Sequence, residues 1–193
     1  MNRVTALIVI FTVVALALVS AGAAAQEGSG EIEVGIVGVP EGVRAGGFDL
    51  KTEIFTADVS QIEGAYVQIK YEGIIVIGQI VEFRRKDNYL VVTGNVQVEQ
   101  DDLFLTGDKV EYYTEQEKMI GTGNLKVTTK DAVVWADQMV FLRNEDKVDF
   151  LQNVIVEVTD AEMFGEHFVM LRAEEQMEFI GPFRGEFRRN QAE

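Results

Sequence analysis

The chain has 193 residues, 32 acidic against 17 basic side chains, a formal net charge of −15 and no cysteine. That charge opposes binding to nucleic acid or to an anionic bilayer surface, and the absence of thiols excludes disulfide staples and thiolate chemistry. The length suits one domain, held by burial and backbone pairing alone.

Met1-Asn2-Arg3 is a short positive start, Val4 to Val19 is apolar except for Thr5 and Thr12, and Ala23-Ala24-Ala25 precede Gln26. This pattern predicts a cleavable secretory signal peptide over residues 1–25 and an exported mature chain. The alternative is a retained membrane anchor, because the apolar run is near the lower length limit for a span. Residues 26–47 read as a flexible or edge segment. Its start is rich in Gly, Ser and Glu, then Ile32, Val34 and Ile36 alternate and suggest a first strand, and Pro40, Gly42, Gly46 and Gly47 break the pattern. A repeat domain over 48–187 follows, with a short tail at 188–193.

Within that domain the sequence repeats. Gly78, Gly107, Ala136 and Gly165 lie 29 residues apart, and Gly94-Asn95, Gly123-Asn124 and Gln152-Asn153 keep the same step. A fixed period of this size indicates stacked supersecondary units. Alternation sets the class: Val96 and Val98 oppose Gln97 and Glu99, and Leu125 and Val127 oppose Lys126 and Thr128. Period two over short runs bounded by polar turns means antiparallel β-strands with one face buried. Glycine inside a strand marks a bend or bulge, so one bend per strand folds the array into a V. The predicted fold is all-β: a V-shaped antiparallel β-jellyroll of 29-residue repeats, open at both ends.

The apolar columns line the inside of the V. They are Val67, Val96, Leu125 and Val154; Ile69, Val98, Val127 and Val156; Val76, Leu105, Val134 and Met163; Val81, Val110, Met139 and Phe168; and Phe83, Tyr112, Phe141 and Met170. Composition alone leaves two readings of this interior open, a closed sandwich core or an apolar trough for a ligand. The flexible Met and Phe side chains of the later repeats suit an adaptable surface.

Catalytic signals are weak. His167 is the single histidine, on an outward column with Lys109 and Gln138, and one His without Cys builds neither a metal set nor a nucleophilic triad. No cofactor or metal is expected, and the chain is read as a non-enzyme. Asp108, Asp137 and Glu166 follow the bends, with Gln79 as the fourth member. They suit local bonding to backbone N–H groups freed at the bend better than a cation ladder. The two ends of an open β array are unpaired edges that template pairing with another chain.

The run Thr93-Gly94-Asn95-Val96-Gln97-Val98, Thr106-Gly107-Asp108-Lys109-Val110-Glu111-Tyr112 and Glu115-Gln116-Glu117-Lys118-Met119 resembles the LptA/OstA-like periplasmic proteins of lipopolysaccharide export. The resemblance spans about Phe48 to Phe183, although Gly78-Gln79 departs from the Gly/Ala-Asp motif. It implies a periplasmic protein whose V-shaped jellyroll shields lipid A acyl chains. It also implies end-to-end joining, to further copies and to related domains of inner- and outer-membrane export components. A membrane-anchored LptC-like subunit and a ligand-free structural β-repeat protein that polymerises by its edges are the alternatives.

Overall fold

The computed structural model describes residues 33–71, 74–100, 103–130, 132–145, 147–171 and 176–188. The segment 1–25, expected as a signal peptide, lies outside them. Among the described residues, fourteen strands form one antiparallel sheet. They are β1 Glu33–Val37, β2 Gly46–Asp49, β3 Ile54–Asp58, β4 Tyr66–Tyr71, β5 Ile74–Gly78, β6 Ile80–Arg84 and β7 Tyr89–Gln100. The later ones are β8 Leu103–Tyr113, β9 Lys118–Thr128, β10 Ala132–Leu142, β11 Lys147–Val158, β12 Ala161–Leu171, β13 Gln176–Phe179 and β14 Phe183–Phe187. Gly46 and Gly47, expected to interrupt the pattern, open β2 and pair with Ala57 and Thr56.

A crease divides the sheet into two leaves. The first runs β1-β4-β5, continues through one half of each long strand β7 to β12, and ends on β14. The second runs β2-β3-β6, continues through the other halves, and ends on β13. At the crease two residues of one strand face one residue of its neighbour. Gly94 and Asn95 lie opposite Asp108, Gly123 and Asn124 opposite Asp137, and Gln152 and Asn153 opposite Glu166. This two-against-one count is a β-bulge, which bends the bulged strand and strengthens its twist. All six bulge residues have positive φ, from 49° to 81°. Glycine and asparagine tolerate that region best, which explains the recurring Gly-Asn pair.

The second set of small residues has a different cause. Gly78, Gly107 and Gly165 do not take positive φ. A Cβ added at each would sit 2.3 Å from Val92, 2.6 Å from Leu125 and 2.6 Å from Phe179 respectively. Their hydrogen side chains make room for large neighbours at the fold of the crease. Both sets had read as bends from the sequence, and only the Gly-Asn set supplies the bend.

Candidate functional site

The crease delivers the alternating apolar residues of both leaves into one interior. All the trough positions named from the sequence except Val76, Phe83 and Met163 are buried, and those three pack against the same core. Phe141 and Met139 are 0% exposed and Tyr112 is 1%. The interior is therefore packed side chain against side chain along the middle of the molecule.

The columns also hold members that the sequence reading passed over. Leu90, Met119 and Val148 are buried at the 29-residue step, as are Leu103, Ala132 and Ala161, and Val92 and Phe150 are buried two steps apart. They lie on the same long strands as the chosen residues: Leu90 and Val92 share β7 with Val96 and Val98, on the other side of the bulge. The same period would have found them.

The ends differ from the middle. At one end Val34, Ile36 and Phe48 of β1 and β2 are 45%, 37% and 47% exposed. At the other, Met177, Phe183 and Phe187 are 42%, 57% and 75% exposed. These residues continue the inward columns, since Val34 and Ile36 lie opposite Ile69 and Val67, and Phe183 lies opposite Gly165. A relay of rings leads outward to the second end: Phe150–Phe168 at 5.9 Å, Phe168–Phe179 at 5.0 Å and Phe179–Phe183 stacked at 5.1 Å. A cleft of about 770 Å³ lies at the first end, lined in part by Gly47, Phe48 and Ile54. One of about 440 Å³ lies beside β12 and β14, lined in part by Phe164, Gly165 and Phe183.

Outward polar groups are tied down across strands. Asn124 Nδ2 donates to Asp108 at 2.9 Å and Asn153 Nδ2 to Asp137 at 2.6 Å. The carboxylates thus accept from the asparagine side chains of the neighbouring bulge, where the sequence reading expected backbone N–H donors. His167 Nε2 lies 2.6 Å from Asp149 Oδ1, and Lys147 Nζ lies 3.0 Å from the other oxygen of that buried carboxylate. His167 is on the outer face, as its column suggested, and links β12 to β11. Glu111 accepts from Tyr89 Oη at 2.6 Å and from Lys109 Nζ at 3.0 Å. Burial alone would raise its carboxyl, but the Tyr89 hydroxyl, the Lys109 ammonium and the Tyr113 hydroxyl outweigh burial and hold it below the ordinary value. Tyr89 is pushed up by burial and by the same Glu111 contact.

No curated protein sequence matches the chain. A solved structure does: the crystal structure of LptH, the LptA-homologous periplasmic component of the lipopolysaccharide transport device of Pseudomonas aeruginosa. It aligns with a TM-score of 0.50 at 18% identity, over 55% of this chain and 80% of that one, and the likeness is one of fold. The family described as LptA/(LptD N-terminal domain) LPS transport protein matches residues 76–176, just over half of the chain. By that match the chain belongs to the LptA/LptD N-terminal domain family of LPS transport proteins.

Proposed function

We propose that the protein is a periplasmic bridge component of lipopolysaccharide transport, which shields lipid A acyl chains between its two leaves. The observation that carries this reading is the continuous run of inward apolar columns, exposed only at the two ends. Apolar burial stabilises by roughly 25 cal/mol per Å², so a few chain contacts suffice to hold a lipid. The acidic exterior disfavours the phosphorylated head group, which stays outside the interior. The unpaired edges β1, β2, β13 and β14 then join copies end to end, or join this chain to related jellyrolls of membrane components.

The close packing of the interior favours one second reading, a structural β-repeat protein with no lipid cargo. Photoreactive residues placed at Val98, Phe141 and Phe168 test the two readings against each other. The transport reading expects crosslinks to lipopolysaccharide from these inward positions and not from the outward Gln97 and Lys126. Crosslinks from the outward positions alone contradict it, and lipid-free protein after detergent-free purification favours the structural reading.

A further inference from the structure

The outward charges lie in layers, and the two leaves order their layers oppositely. The turns between the long strands form the two lips of the V. In the second leaf, the outward row beside the lip carries Arg84, Lys118 and Lys147, with Tyr89, Tyr113 and Leu142 on the strands between. The row behind it, two residues nearer the crease, carries Glu82, Glu111, Asp149 and Glu178. The first leaf inverts this order. Its row beside the lip carries Glu99, Glu157, Glu162 and Glu186, and the row behind carries Lys126 and Arg184. Among the described residues, every charged side chain of these four rows from β6 to β14 keeps to this order.

The rear layer decides what the front layer can offer. Glu82 accepts from Arg84 Nε, and Asp149 accepts from Lys147 Nζ at 3.0 Å. Ammonium and guanidinium groups carry several donors each, so both keep donors for a ligand beyond the lip. In the first leaf, Lys126 and Arg184 lie over the rings of Trp135 and Phe164, at 5.4 Å and 4.8 Å, behind the carboxylates. Successive outward rows are about 7 Å apart along a strand, close to the screening length of about 8 Å at physiological salt. A group just outside the opening therefore responds mainly to the front rows. It meets cations on one lip and carboxylates on the other, in a chain whose net charge is −15.

We propose that the opening is sided: the phosphorylated head group of the lipid cargo leans over the lip of the second leaf, with its phosphates on Lys118 and Lys147. This rests on the lipid-cargo reading above and assigns the side of the opening that the head group takes. Lys118 and Lys147 stand one repeat apart with β10 between them, a span of about 10 Å. Leu142 fills the place between the two ammonium groups and suits the roots of the acyl chains beneath the head. On the other lip Glu157 and Glu162 lie directly opposite each other across β11 and β12, and this pair repels phosphate.

β10 reaches both lips with an outward residue at each, Leu142 in the second leaf and Val133 in the first. Photoreactive residues at these two places, in the full-length chain, are compared with one at the inward Phe141 in the presence of lipopolysaccharide. The expected result is crosslinking from Phe141 and Leu142, severalfold stronger from Leu142 than from Val133. Equal or stronger crosslinking from Val133 overturns the sidedness and leaves the transport reading intact. No crosslink from Phe141 removes the transport reading, and the sidedness with it. A second pair of variants separates charge from shape: Lys118→Glu and Lys130→Glu change the net charge alike, on opposite lips. Lys118→Glu is expected to weaken lipopolysaccharide binding about fivefold more than Lys130→Glu, and phosphatase treatment of the lipopolysaccharide is expected to erase that difference. Equal weakening by both, or a difference that survives phosphatase, overturns the assignment of the phosphates to this lip.

Discussion

Gln152 holds its backbone at φ 65°, at the bulge position where the two preceding kinks use Gly94 and Gly123. A left-handed conformation costs a residue with a Cβ about 1–2 kcal/mol, offset in part by the extra chain entropy of glycine. Gln152→Gly is therefore expected to raise unfolding stability by about 0.5–1 kcal/mol in urea titration. Glu111 gives a pH dependence with a definite sign. Its folded-state carboxyl lies below the ordinary value of 4.5, so its contribution is present above pH 4.5 and is lost as pH falls through the folded value. Wild type is expected to lose more stability than Glu111→Gln between about pH 5 and about pH 3, and parallel pH profiles would count against the network described. The Gly-Asn pair was legible from the sequence as a bend because the backbone conformation demands those residue types. The pairing of His167 with Asp149 was not, because it joins residues 18 apart across two strands, and no local pattern encodes that approach.

The long strands β7 to β12 were readable element by element, since each carries an alternating stretch on either side of the crease within its eleven or twelve residues. The short β1, β2, β13 and β14 were harder, because four or five residues hold few alternations and glycine interrupts three of them. β2 is the clearest case: Gly46-Gly47 carries no strand preference, and its pairing with β3 comes from tertiary context. The crease adds a constraint that spacing alone did not separate from bending. Gly78 is required for the space that Val92 occupies, and valine is stiff about its first torsion. Gly78→Ala is expected to destabilise by about 1–3 kcal/mol, as overpacking at a close approach does. Thermal unfolding of this variant beside Gly47→Ala, where an added Cβ meets nothing within 4 Å, checks that steric crowding is the cause. Equal effects at the two glycines would point to backbone entropy instead.

At the scale of the whole molecule, the apolar columns predict an interior without saying whether it is open. Val98 and Phe141 alternate with polar residues in the same way whether the facing leaf touches them or a lipid does. The structure brings the leaves into contact, with Phe141 and Met139 at 0% exposure. Close-packed interiors leave no space for an added chain, so the transport reading requires the leaves to part when lipid enters. Lys118 and Lys130 flank the two ends of β9, one beside each leaf at the open side of the V. Spin labels on Lys118→Cys and Lys130→Cys, in a chain with no other cysteine, report the separation of the leaves by pulsed electron resonance. The account predicts a distance that lengthens by several ångströms when lipopolysaccharide is added, whereas bound lipid with an unchanged distance would contradict an interior binding site.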